Sequence, residues 1–216
     1  MKIAIIANGE FYENSEKIKK FAETALKEAD YIIACDGGLE HCYNMDITPD
    51  IIIGDLDSAP ADILAEYKDV PILRFPTEKD ETDLELAMDF ALKKSQDILI
   101  LAALGGRFDH ALGNIHVLAE ALKYGAKAVI LDIYTRIVLI DDFCELQKSN
   151  GRMVSLLPFF SEAGRITTTG LKYPLIDENL RIGSVRGLSN EILKESAKIA
   201  IKSGLLLVVQ TKEVEN

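Results

Sequence analysis

Through roughly the first 133 residues, short unbroken apolar runs alternate with longer stretches whose apolar positions recur at helical spacing. The runs lie at 2–7, 31–35, 51–53, 72–75, 97–104 and 128–133 and predict strands; the continuous 51–53 run predicts a buried strand of a parallel sheet, and 97–104 is near-continuously apolar. Residues 15–28, 61–67, 84–94 and a segment reaching about 124 predict helices between them. Strands alternating with helices imply an α/β fold, a mostly parallel doubly wound sheet with helices on both faces. From 136 onward the texture changes to short runs bounded by Gly, Asn and Asp, at 136–140, 144–148, 153–159, 165–169, 185–188, 198–202 and 205–211. Only 191–197 carries a weak helical period. This second region predicts a smaller antiparallel β-sandwich domain, with the division falling between domains 1–135 and 136–216.

The stretch Ile51-Ile52-Ile53-Gly54-Asp55-Leu56-Asp57-Ser58 runs from a buried strand through a glycine into two carboxylates. In open α/β sheets, ligands bind at the carboxyl ends of the strands. In extended backbone Asp55 and Asp57 point the same way, about 7 Å apart, and a bound cation removes their repulsion. Mg²⁺ takes one or two carboxylates plus substrate phosphate oxygens and waters; the alternative is that one of the two caps a helix starting near Pro60. Asp36-Gly37-Gly38 follows the second strand and permits either a plain turn or a close backbone approach to a ligand. Glu78, Asp80, Glu81 and Asp83 crowd the loop before the fourth predicted strand's helix, together with Lys79. Asp83 is the best-placed third carboxylate for a metal, although Thr82 or Asp83 also suits an N-cap. Gly105-Gly106-Arg107-Phe108-Asp109-His110 joins a strand to a helix, a setting in which backbone N–H groups and a guanidinium grip phosphate. Read from the residues alone, His110 is a first-turn helix residue, His116 is structural, and His41 is structural or exposed.

Composition narrows the function further. The 216 residues are 48% hydrophobic, enough for a full core, and the formal net charge of −11 disfavours nucleic acid and anionic membranes. No apolar stretch approaches membrane-spanning length, and the first residues read as a strand, not a signal peptide. Cys35, Cys42 and Cys144 lack zinc spacing and read as reduced thiols of a cytoplasmic protein. No P-loop and no dinucleotide glycine pattern occurs, and no Ser-His-Asp or Cys-His arrangement suggests a covalent intermediate.

Taken together and in order, Cys35-Asp36-Gly37-Gly38, Gly54-Asp55-Leu56-Asp57-Ser58, Lys79-Asp80-Glu81-Thr82-Asp83 and Gly105-Gly106-Arg107-Phe108-Asp109-His110 resemble the thiamine pyrophosphokinase family. A fifth motif, Thr168-Thr169-Gly170-Leu171-Lys172-Tyr173-Pro174-Leu175 followed by Ser189-Asn190, extends the resemblance over nearly the whole chain. The resemblance implies transfer of pyrophosphate from ATP to the thiamine hydroxyl, giving thiamine diphosphate and AMP. It implies a homodimer with the thiamine pocket at the subunit interface. It further implies that Asp55, Asp57 and Asp83 carry Mg²⁺. Asp36, Gly37, Gly38, Asp80, Thr82, Arg107, Asp109 and His110 would serve the ATP side, with Arg107 holding phosphates and catalytic weight on Asp55, Asp57, Asp83 and Arg107. Thr168, Thr169, Tyr173, Ser189 and Asn190 would contact thiamine or the adenosine. Many members carry Trp where this chain has Tyr173, the residue expected to stack on thiamine. A carboxylate, Asp83 or Asp80, could take the hydroxyl proton. Two rival classes are a metal-dependent phosphohydrolase, which would release phosphate without thiamine, and a non-catalytic nucleotide sensor, which has less need of a full acidic cluster.

Overall fold

The computed structural model describes residues 1–57 and 59–212; Ser58, quoted above within the central motif, lies outside them. The chain forms two compact units, Met1–Ile133 and Tyr134–Asn216.

In the first unit the elements are β1 (Ile3–Ile6), α1 (Ser15–Leu26), β2 (Tyr31–Cys35), α2 (Gly38–Asn44), β3 (Ile51–Gly54), α3 (Ala61–Glu66), β4 (Ile72–Arg74), α4 (Asp83–Leu92), β5 (Asp97–Leu101), α5 (Phe108–Lys123) and β6 (Lys127–Leu131). The strands pair in the order β4-β3-β2-β1-β5-β6, every pair parallel. All four residues of β1 are fully buried, as expected for a central parallel strand covered on both faces. Full burial of each Ile there contributes about 1.5–3 kcal/mol. One face is sealed by Ala22 of α1, Leu39 and Cys42 of α2 and Ile63 of α3, packed on Ile6, Ala34 and Ile52. Helix α4 packs against β1, β2 and β3, and α5 against β6. Asn14 caps α1 by accepting from Lys17 N at 2.9 Å, and α4 opens with a capping box between Thr82 and Glu85.

The sequence reading misses one helix here and overruns one strand. Gly37 and Gly38 read as a turn, yet Gly38 opens the seven-residue α2, which earns its place by burying Leu39 and Cys42. The fifth strand stops at Leu101, not 104, because Ala102 turns to a left-handed φ of 52° and leaves the ladder.

In the second unit β7 (Thr135–Ile140), β8 (Phe143–Gln147), β9 (Met153–Thr169), β10 (Glu178–Leu180), β11 (Asn190–Glu191), β12 (Ser196–Ala200) and β13 (Ser203–Thr211) are antiparallel. The two runs predicted at 153–159 and 165–169 are one bent strand. Positive φ at Phe160 and Arg165 redirects β9 from β13 in its first half to β12 in its second, so one strand serves both layers. Residues 185–188 form a turn, with Leu188 N donating to Val185 O, and only Gly187 O is engaged by β9. The weak helical period at 191–197 is overridden: β11, a Leu171–Ile192 bridge and β12 claim the backbone groups across strands. Among the described residues no helix is long and apolar enough to cross a membrane.

Candidate active site

After β1 the chain goes to β2, β3 and β4 on one side of the sheet, then returns to β5 and β6 on the other. The loops leaving β1 and β5 therefore diverge, and a crevice opens at their carboxyl ends. The loops stay tied at the base, Ala7 N donating to Leu101 O at 2.9 Å and Gly9 N to Ala102 O at 2.6 Å. His41 Nε2 donates to the Gly9 carbonyl at 2.7 Å, and burial holds that imidazole below its ordinary pKa against the opposing pull of the carbonyl. A cleft of about 910 Å³ spans these loops, a volume suited to a nucleotide. A second hollow of about 700 Å³ lies at the amino ends of the strands around Met1, Ser95 and Lys127, where no glycine loop or acidic cluster converges.

Asp36, Asp55 and Asp57 converge at the cleft. One carboxylate oxygen from each lies within 4.8 Å of the others. The register Cys35↔Ile53 sets the ends of β2 and β3 side by side, so the residues that follow them are neighbours. Gly54 is required for that proximity: a Cβ there would stand 2.9 Å from the Asp36 Cβ, and its φ is +153°. Beyond it the backbone is not extended as expected. Leu56 adopts a left-handed φ of 65° with its side chain buried, and Asp57 N donates back to Asp55 Oδ1 at 3.1 Å. That turn draws the acids together. The Asp57 N–H leads the groups that hold the Asp55 carboxyl below its ordinary pKa; partial burial opposes it and Lys79 adds to it. An all-oxygen, three-carboxylate donor set fits a hard divalent cation such as Mg²⁺.

Asp83, expected as a third metal carboxylate, lies beside the cluster across Lys79. It begins α4 and pairs with Lys79 Nζ at 3.0 Å, and the same ammonium reaches Asp55 Oδ2 at 3.3 Å. Lys79 thus bridges the three-acid cluster to Asp83, and Asp36 is the acid grouped with Asp55 and Asp57. The Thr82 hydroxyl accepts from Glu85 N at 3.2 Å as the helix cap, while the residue also lines the cleft. Asp80 is exposed and is not part of the cleft lining, whereas Gly105, Gly106, Arg107, Asp109 and His110 are. Arg107 grips Asp109 through Nε at 3.1 Å and Nη2 at 2.6 Å, and this hydrogen bonding holds the Asp109 carboxyl down to about 2. Gly37 abuts the Asn8 side chain, and Gly38 sits against the carbonyls of Ile6 and Ala7, so both serve the packing of α2 on β1. Cys35 lines the cleft, but burial pushes its thiol pKa well above the ordinary value, which removes it as a nucleophile. Sequence reasoning quoted Lys79 without a role and missed Asn8, which lines the cleft, and Tyr12, whose hydroxyl accepts from Gly106 N; the Asn8-Gly9 pair after the first strand is the one signal for this loop.

In the second unit, Thr168 and Asn190 are buried clamps. Thr168 Oγ1 accepts from Leu175 N at 2.9 Å, and Asn190 holds both backbone groups of Tyr173, accepting from its N at 3.0 Å and donating to its O at 2.7 Å. They present Tyr173, which is 62% exposed with the Lys172 ammonium 5.7 Å from its ring centroid. Thr169 and Ser189 are exposed, and Ser189 N donates to Ser155 Oγ at 3.2 Å from a left-handed φ of 58°.

Comparison with known proteins agrees with this division of labour. The profile of the thiamin pyrophosphokinase catalytic domain matches residues 22–130, and that of the thiamin pyrophosphokinase vitamin B1 binding domain matches residues 144–206. The thiamine pyrophosphokinase of Bacillus subtilis is 32% identical over 186 residues, covering 84% of this chain and 87% of the relative. The crystal structure of thiamine pyrophosphokinase from Bacillus subtilis superposes with a TM-score of 0.86 at 26% identity, over 99% of this chain and all of the other. That of the Geobacillus thermodenitrificans protein superposes with a TM-score of 0.82 at 26% identity, over 100% of this chain and 99% of the other. Fold, motifs and relatives converge: the chain belongs to the thiamine pyrophosphokinase family, whose members are diphosphotransferase enzymes.

Proposed function

We propose that this protein transfers the pyrophosphoryl group of ATP to the hydroxyl of thiamine, releasing AMP, with Mg²⁺ held by Asp36, Asp55 and Asp57. The observation that carries the reading is a cluster of three carboxylates, two of them lining the same cleft as a glycine loop and Arg107, at the switch point of the sheet. When bound, Mg²⁺ supplies charge neutralisation on the polyphosphate oxygens. The other work falls to the chain. The backbone N–H groups of Gly105 and Gly106 and the start of α5 orient the phosphates. Arg107 exchanges one acceptor, Asp109, for another of the same geometry, a pair of phosphate oxygens. Lys79 keeps Asp55 and Asp83 from repelling each other. Of the two carboxylates considered for the hydroxyl proton, Asp83 lines the cleft and the exposed Asp80 does not, which supports Asp83. Such a transfer demands positioning and charge neutralisation more than covalent chemistry, and the protonated Cys35 thiol is consistent with that.

Thiamine carries a cationic thiazolium, and the exposed Tyr173 ring offers it a π face. We further propose a homodimer with the thiamine site at the interface of two copies. Exposed Phe160, Ile176, Ile182 and Val185 in the second unit support an apolar surface that a second chain covers. The free cysteines support a reducing, cytoplasmic setting. Incubation with ATP, Mg²⁺ and thiamine, followed by ³¹P NMR of the products, tests the reading. Thiamine diphosphate and AMP in equal amounts are expected. Inorganic phosphate or pyrophosphate formed without thiamine would replace it with a phosphohydrolase.

A further inference from the structure

Two donors of the glycine loop are already engaged by acceptors from within the chain. Asp109 takes the Arg107 guanidinium, and the Tyr12 hydroxyl takes the Gly106 backbone N–H at 2.7 Å across 94 residues of sequence. Tyr12 is 73% exposed, so packing does not hold its ring over the loop. The loop is shaped to receive it. Gly105 and Gly106 have φ of +83° and +66°, and a Cβ on Gly105 would strike the Glu10 carbonyl and come within 3.1 Å of Tyr12 Cε2. The Gly106 N–H lies just ahead of the sixteen-residue α5, whose N-cap, Arg107, makes no side-chain capping bond. This is the end of a helix where backbone donors and dipole favour a negatively charged acceptor. A phenol oxygen is a neutral acceptor in that position, weaker than a phosphate oxygen.

We propose that Tyr12 is a displaceable latch on the glycine loop: its hydroxyl holds the Gly106 N–H until a polyphosphate oxygen takes the same hydrogen bond. Tyr12 is thus a positioning residue. In the free protein it occupies the Gly106 N–H, and it competes with ATP for that one donor. The inference rests on the assignment of the ATP phosphates to this loop. Exchange of a neutral hydrogen bond worth about 0.5–1.5 kcal/mol sets the competition at about 2–10-fold in affinity.

The test is Tyr12→Phe, which removes the hydroxyl and keeps the ring, with Tyr12→Ala as a second variant that an exposed position tolerates. ATP is titrated with Mg²⁺ and without thiamine, and ¹⁵N-glycine labelling follows Gly106 among only 14 glycines. In the free protein, the Gly106 amide signal should shift and exchange faster with solvent in both variants. ATP should bind about 2–10-fold more tightly to both, and the KM for thiamine should stay as in the parent. A structural role alone would weaken ATP binding, so weaker or unchanged affinity overturns the latch. The underlying assignment fails separately. If ATP does not move the Gly106 signal of the parent and Arg107→Lys binds ATP normally, the phosphates lie elsewhere and the latch falls with that assignment.

Discussion

Lys79→Met removes a charge from the centre of the acidic site while keeping most of the side chain's length. In the parent, the ammonium sits 3.0 Å from Asp83 Oδ1 and 3.3 Å from Asp55 Oδ2, with the Lys79 and Asp55 side chains only 12% and 10% exposed. Breaking a truly buried pair costs about 3–5 kcal/mol, and an exposed one about 0–1 kcal/mol. These side chains are largely shielded, but the cleft that Lys79 and Asp83 line is open to water, so screening persists. We therefore expect a loss of about 1–2 kcal/mol in EDTA at neutral pH. Because a cation binding only the folded state adds stability by mass action, Mg²⁺ should stabilise Lys79→Met more than the parent. With the competing ammonium gone, Mn²⁺ without nucleotide should bind about 5–30-fold more tightly, the same 1–2 kcal/mol read as affinity. Turnover should fall, since Asp55 and Asp83 are no longer held in register. Burial alone would lower the Lys79 pKa, but its hydrogen bonds to Asp83 and Asp55 prevail and raise it. Its contribution is therefore fully present below the unfolded value of about 10.5 and fades as pH rises through the higher folded value. Urea unfolding in EDTA and in Mg²⁺, repeated at alkaline pH, together with Mn²⁺ titration monitored by EPR, checks each part. A variant as stable as the parent in EDTA, with unchanged Mn²⁺ affinity, would mean that the ammonium does not hold a cation's place.

Three other outcomes follow from the same geometry. Asp57→Asn keeps volume but loses a carboxylate, so it should nearly abolish turnover and Mn²⁺ binding while changing stability by no more than about 1 kcal/mol; full activity at limiting Mg²⁺ would remove Asp57 from the metal set. Tyr173→Ala should leave the melting temperature near that of the parent and weaken thiamine binding by about 1–2 kcal/mol, whereas Tyr173→Trp should match or exceed the parent in a thiamine titration; unchanged binding in the Ala variant would send the pocket elsewhere. Burial keeps His41 neutral in the fold, so the stability it allows is present above about pH 6.5 and is lost as pH falls and the unfolded chain takes up a proton; His41→Gln should flatten that slope in urea melts taken on either side of 6.5, and an unchanged slope would assign it to other groups.

Which of these features could be read from sequence depends on whether the cause is local. The Ile51-Ile52-Ile53 run and its glycine announce a buried strand and its end, because burial on both faces leaves a continuous apolar signature. The cap of α4 is legible for the same reason: Thr82 and Glu85 stand at the spacing a capping box requires. The composition of the acidic cluster is not local. Asp36 joins Asp55 and Asp57 because β2 and β3 are neighbours in register, and the strand order is decided by the whole sheet. Chain order and the family motif both point to Asp83, the acid at the start of the next long helix, and neither reveals its ion pair with Lys79. The turn at Leu56 is similarly invisible, since a leucine with positive φ is adopted only when the core repays the strain by burying its side chain. Tyr12 is the extreme case. The nearby Asn8-Gly9 pair marks a loop but not Tyr12 itself, whose hydrogen bond goes to a loop 94 positions away that the switch point between β1 and β5 brings beside it. The same topology that opens the crevice for a ligand therefore also sets the two diverging loops close enough for one to answer the hydrogen bonds of the other until a ligand arrives.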